Sequence, residues 1–90
     1  MEFESDENKS QSNKVKHGIN FVEAQVLWED MSRLEFPVFT SDEPRVLLIG
    51  KIGMKIWAAV ITYRGQNTRI ISVRRGRRKE VEIYEELNRG

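Results

Sequence analysis

The spacing of apolar residues divides the chain into a helical start, a strand-rich middle and a helical end. Residues 6–17 are polar and helix-tolerant, with Asp6 as N-cap and Gly18 placed to close the helix in a left-handed turn. Lys14, Lys16 and His17 fill the last turn, where cations favour the helix dipole. Val15 is nearly its only apolar residue, so this helix must lean on its neighbours. A second helix is signalled by Asn20 with Glu23 three positions on, a capping box, and by Ile19 and Ala24 as the hydrophobic staple. Phe21, Ala24, Leu27, Trp28 and Met31 then form one apolar stripe at helical spacing, which reads as core.

From Leu34 the period shortens to two. Leu34, Phe36 and Val38 alternate with Glu35 and Pro37, and the proline marks an edge strand. Ser41 to Pro44 is a polar turn, and the apolar run Val46 to Ile49 stops near Gly50 and Gly53. Ile56 to Tyr63 is the longest, most buried-looking strand. Arg64 to Asn67 is a turn leading into a fourth strand, Thr68 to Arg74, where alternation places Ile71 and Val73 on one face and Ile70, Ser72 and Arg74 on the other. Residues 77–88 predict a closing helix, with Val81, Tyr84 and Leu87 at i+3 steps and Glu85 and Arg89 as an i,i+4 pair. The short spacers imply antiparallel hairpins. The expected fold is α+β: N-terminal helices and a C-terminal helix packed on a four-stranded antiparallel sheet, all in a single domain spanning residues 1–90.

Composition narrows what such a domain can do. Ninety residues leave no room for a separate cofactor-binding sheet. The absence of cysteine excludes disulfides, iron–sulfur clusters and thiolate zinc sites, and the single histidine makes a histidine metal site an unpromising reading. No metal or cofactor is therefore expected. The longest apolar run, Ile56 to Ile61, falls far short of the roughly 20 residues that span a bilayer. With an acidic N-terminus unlike a signal peptide, the expectation is a cytoplasmic protein without a membrane partner.

The net charge of +1 conceals a segregation. Residues 64–79 hold seven bases and no acid, whereas residues 1–30 hold seven acids and three bases. Such an arginine-rich block is a footprint for a polyanion, since guanidinium forks bind phosphate bidentately and stack on bases. The bland alternative is a solvated face paired with Glu80 and Glu82. A sequence-specific DNA binder fits poorly, because the block begins on a strand and turn rather than on a recognition helix.

Two sets of residues carry a family resemblance. Phe3-Glu4, Asp6, Asn8-Lys9, Asn13, Lys16-His17-Gly18-Ile19, Phe21 and Glu23-Ala24 form the first. Arg45, Gly50, Thr62-Tyr63-Arg64-Gly65, Arg69-Ile70-Ile71-Ser72, Arg74, Glu80 and Tyr84 form the second. Together they resemble the BrnT toxins over nearly the whole chain, with Ser5, Val73 and Gly76 departing from the pattern, where the family has Trp, Ala and Ala. The resemblance implies a RelE-like fold and a ribonuclease toxin of a bacterial type II toxin–antitoxin pair. It also implies an RNA substrate and a BrnA-like, DNA-binding antitoxin that neutralises the toxin, in an oligomeric complex bound to operator DNA through the antitoxin.

RNA cleavage without metal uses the ribose 2′-OH as nucleophile and needs charge stabilisation on the phosphorane and proton transfer at both oxygens. Arg64, Arg69 and Arg74 are the candidates for the charge. Arg69 and Arg74 are five apart, so on a regular strand they point to opposite faces, and a twist or bulge is needed for both to reach one phosphate. His17 and Glu80 are the candidate acid–base groups, against bland roles as a helix C-terminal cation and a dipole-stabilising carboxylate. Arg75, Arg77, Arg78 and Lys79 are placed to guide the RNA backbone, while Tyr84 either stacks a base or packs in the core. The alternative function is a non-catalytic nucleic-acid or partner-binding module using the same arginines.

Overall fold

The period-two stretches form four consecutive antiparallel strands: β2 Leu34–Val38, β3 Arg45–Ile52, β4 Lys55–Arg64 and β5 Asn67–Arg75. The computed structural model describes residues 2–39 and 43–89, so Ser41 and Asp42 of the expected polar turn lie outside the described residues. Pro37 does sit on an edge strand, since β2 pairs only with β3 in the sheet. The fifth strand, β1 Glu2–Glu4, pairs parallel with Asn67–Arg69 of β5. The sheet is thus five-stranded and mixed, which corrects the four-stranded antiparallel expectation. A strand of three residues with one apolar side chain, Phe3, shows no period, and only its packing reveals it. That packing is an edge-to-face contact with Trp28, centroids 4.7 Å apart.

Two helical segments cover one face of the sheet. In α1 (Glu7–His17) the Asp6 carboxylate accepts from the Asn8 and Lys9 N–H groups at 2.9 and 3.2 Å, and Gly18, at φ +81°, ends the helix in the left-handed conformation. The Asn20–Glu23 capping box is formed reciprocally at 2.7 and 2.9 Å. It opens a 3-10 helix, Glu23–Glu29, that ends before Met31. Met31 is 90% exposed, so the apolar stripe stops at Trp28. Asp30 turns the chain out of the helix in an extended conformation, and its carboxylate accepts from the Ser32 N–H, the Lys51 N–H and the Tyr84 hydroxyl at 2.7–2.8 Å. Burial opposes ionisation of Asp30, but these three donors outweigh it and hold its carboxyl below the usual range.

The core has two parts, one on each side of the sheet. Ile19, Phe21, Ala24 and Leu27 pack on Leu48, Trp57, Ala59, Ile61, Ile70 and Val73. Gly50 lets the 3-10 helix approach, because a Cβ there would stand 3.0 Å from the Leu27 Cδ2. On the far side α2 (Arg78–Leu87) seats Tyr84 and Val81 against Leu34, Phe36, Leu47, Ile49 and Ile56. Leu87, expected in that stripe, is 61% exposed, and Arg89 pairs with Glu86 rather than with Glu85.

One irregularity sets how β5 faces the molecule. Val60 opposes Ser72 and Ile61 opposes Ile70, so Ile71 is an extra residue without a partner on β4. Such a bulge reverses the alternation beyond it. Ile70 and Val73, three apart, therefore both enter the core, and the expected pairing of Ile71 with Val73 on one face is corrected. β1 ends opposite Arg69, and the buried Asn13 of α1 takes over the strand edge beyond it. Its side chain accepts from the Val73 N–H at 3.1 Å and donates to the Val73 and Ile19 carbonyls at 2.8 Å.

Asn13→Ala would leave three buried backbone groups without partners, for an expected loss of about 3 kcal/mol. Urea unfolding of the two proteins measures it, and a loss below about 1 kcal/mol would show that the strand edge holds itself.

Candidate functional site: an arginine–carboxylate face

With Ile71 taken out of the alternation, the register places Asn67, Arg69, Ser72 and Arg74 of β5 on the same face as Ala58, Val60, Thr62 and Arg64 of β4. Strand alternation adds Arg45 and Leu47 of β3. This is the side that carries α2, whose apolar contacts lie over the β3 end, at Ile49 and Ile56, while its first turn reaches β5 through Glu80 and leaves Arg69, Ser72 and Arg74 half-buried. Arg64, Arg69 and Arg74 thus share one strand face, the convergence that an unbroken strand would forbid.

Each of the three guanidiniums has a carboxylate from elsewhere in the chain within 4 Å. Arg74 donates through Nη1 and Nη2 to Glu80 Oε1 and Oε2 at 2.7 and 2.8 Å, a fork-to-fork pair. Glu80 stands in the first turn of α2 and also accepts the Arg77 N–H at 2.8 Å. The bond from Arg74 holds the Glu80 carboxyl below the usual range despite partial burial, and the backbone donor adds to this. Glu4 of β1 lies 3.9 Å from the Arg69 guanidinium and accepts from the Asn67 side chain at 2.8 Å. Arg64 lies 3.5 Å from Glu43 in a half-exposed pair. Arg45 has its Nε buried with no hydrogen-bond partner among the described residues.

The other residues singled out in the sequence fall elsewhere. Arg75 lies on the opposite face, its guanidinium 5.5 Å from the centre of the Trp57 ring. Arg77 precedes α2, Arg78 is exposed beside Glu82, and Lys79 is exposed. Tyr84 is 7% exposed, with its hydroxyl donated to Asp30, and burial together with that bond pushes its phenol up to about 12. Its ring is core and is closed to base stacking. Glu80, a candidate base on sequence grounds, is stabilised in its ionised form and suits holding Arg74 better than taking a proton. His17 belongs to a different cleft, between α1 and β5, with Lys9, Lys16 and Ser72. Glu4, Asn67 and Arg45 are site residues that no spacing signal marked, because their partners are brought together only by the parallel β1 strand and by the β3–β4 register. Among the described residues no group of three or more acids or histidines is arranged to hold a metal ion.

In this small α+β protein three arginines stand on one face of the half-sheet, and guanidinium is a side-chain group with the fork geometry to pair with phosphate. The family described as the ribonuclease toxin, BrnT, of type II toxin–antitoxin systems matches residues 6–80, and the chain belongs to that family. Its activity class is therefore that of a ribonuclease toxin, with RNA as substrate and an antitoxin as partner. No individually curated protein matches the chain. No helix among the described residues is long and apolar enough to cross a membrane.

The Arg74–Glu80 pair predicts a pH dependence. A carboxyl depressed in the folded state adds stability above its unfolded value of about 4.3, which is lost as pH falls through the folded value. Glu80→Gln is expected to cost about 1–2 kcal/mol at pH 7 and clearly less at pH 3. Equal losses at both pH values, in denaturant titrations, would assign the effect to packing instead.

Proposed function

We propose that this chain is a metal-independent endoribonuclease that cleaves mRNA in the cytoplasm and arrests growth until a BrnA-like antitoxin neutralises it. The observation that supports this best is the placement of Arg69 and Arg74 on one face by the Ile71 bulge, with Arg74 oriented by Glu80 and Arg69 beside Glu4. The ribose 2′-OH gives up its proton to water and attacks the adjacent phosphorus, the bond to the 5′ oxygen breaks, that oxygen takes a proton from water, and a 2′,3′-cyclic phosphate forms. Arg69 and Arg74, with Arg64 at the rim, meet the charge that builds on the non-bridging oxygens. Arg74 gives one hydrogen from each terminal nitrogen to Glu80 and a second from Nη1 to the Arg75 carbonyl at 3.3 Å, and its five-donor fork keeps the Nε hydrogen and one on Nη2 for the phosphate. Glu80 acts as a positioning residue. Arg77, Arg78 and Lys79 guide the RNA backbone at the start of α2. An acidic or amphipathic antitoxin segment competes for the same arginines, and the complex assembles on operator DNA through the antitoxin.

A second reading, a binding module without catalysis, draws on the fact that each of the three arginines already has a carboxylate beside it. An RNA cleavage assay separates the two. Cleavage that persists in EDTA and falls about 100-fold or more in Arg74→Ala supports the nuclease. Absence of cleavage, both on free RNA and after addition of ribosomes, supports the module. Cleavage by wild type that Arg64→Ala, Arg69→Ala and Arg74→Ala all leave unchanged would move the active site off this face.

A further inference from the structure

The cleft that holds His17 is a site in its own right. It has a volume of about 260 Å³ and lies where α1 crosses the β5 edge at the bulge. Lys9, Ser12 and Lys16 follow one another at i, i+3 and i+7, and Asn13 and His17 at i, i+4, so one stripe of α1 faces the strand. Ile71 and Ser72 supply the opposite wall. No carboxylate lines this wall or that stripe. Lys9, Lys16 and His17 make no ion pair among the described residues, whereas Lys14, off that stripe, is bonded to Glu23 at 2.9 Å. Two ammonium groups and an imidazole gathered around hydroxyls, with no acid to balance them, make a pocket that an anion completes.

The cleft is also continuous with the arginine face. Ser72 lies between Arg69 and Arg74 on that face by register and lines the cleft as well. A strand of nucleotides lying across Arg69 and Arg74 and folding over the β5 edge therefore reaches the cleft at Ser72. We propose that this cleft is a second phosphate subsite. In it Lys9, Lys16 and His17, with the Ser12 and Ser72 hydroxyls, bind a backbone phosphate of single-stranded RNA flanking the nucleotide held on the arginine face. The proposal rests on the ribonuclease reading for its ligand, and it gives His17 a phosphate contact in place of the acid–base role.

The test uses the full chain and a short single-stranded RNA carrying 2′-O-methyl groups, which binds but cannot be cleaved. Lys9→Ala/Lys16→Ala is compared with Lys51→Ala/Lys55→Ala, which removes the same charge at the β3–β4 hairpin. The cleft variant is expected to bind about 10-fold more weakly than that control, with a salt dependence shallower by about 0.7 or more in log–log slope. On cleavable RNA its KM is expected to rise by a similar factor with kcat within about twofold. Equal affinity and equal slope for the two variants would overturn the subsite and leave the nuclease untouched. Cleft-dependent binding by a wild-type protein that cuts no RNA would sustain the subsite and remove the nuclease. The His17 ring resonances give a local readout. Their movement with the RNA supports the subsite, and movement with inorganic phosphate alone, unaffected by RNA, would overturn RNA as its ligand.

Discussion

Ile71 has no partner on β4, and the placement of every charged group on β5 depends on that one unpaired residue. Before it, Thr68 and Ile70 face the helical side, and after it Val73 does so. Arg69 and Arg74 are thereby returned to the same side, although an odd spacing separates them. A bulge in an interior strand opens the hydrogen-bonding edge next to it, and this edge would be exposed where β1 ends. Asn13 closes it by presenting an amide that copies a neighbouring strand's N–H and C=O. The same side chain grips Ile19 just after the helix, so α1, the bulge and the arginine face are held by one residue.

The segregation of charge along the chain becomes, in three dimensions, an interlock. The acids that partner Arg69 and Arg74 come from β1 and α2, at opposite ends of the sequence. The exposed pairs at Arg64–Glu43 and Arg78–Glu82 contribute little to stability. The Arg74–Glu80 pair differs because its carboxylate is 13% exposed, both oxygens are engaged and a backbone donor shares one of them. Its effect is to fix the direction of a guanidinium whose long side chain would otherwise sample many rotamers. The entropy of orienting it is thus lost on folding rather than at the moment of binding.

Local chemistry was legible in the sequence and long-range geometry was not. Asp6, Gly18, Asn20 with Glu23, and Pro37 each announce a terminus or an edge through their own hydrogen-bonding or backbone limits, and all stand where those limits place them. The match of the two distant blocks to one family also holds, since the family model spans residues 6–80; Asn13 of the first block reaches β5 at Val73, and Arg74 and Glu80 of the second meet in space. The bulge was hidden because Ile70-Ile71 satisfies alternation in either register, and nothing in an apolar pair says which residue is extra. β1 was hidden because it depends on a partner more than sixty residues away. Met31 and Leu87 fall outside their expected stripes, since periodicity continues on paper after a helix has ended or passed the rim of the sheet it covers.

Cations that are already paired make a weak trap for phosphate in general, yet the pairing favours discrimination. An anion approaching Arg69 and Arg74 meets guanidiniums on one strand face, each with donors that its carboxylate leaves unused. A carboxylate elsewhere on a protein surface offers one small planar group. A phosphodiester offers non-bridging oxygens at a repeat set by the sugar, so it can engage successive cations along a path. A basic block left wholly unpaired would bind any polyanion, whereas one neutralised internally binds only where geometry adds to charge. The near-neutral total of +1 and the arginine-rich face are for that reason parts of the same design.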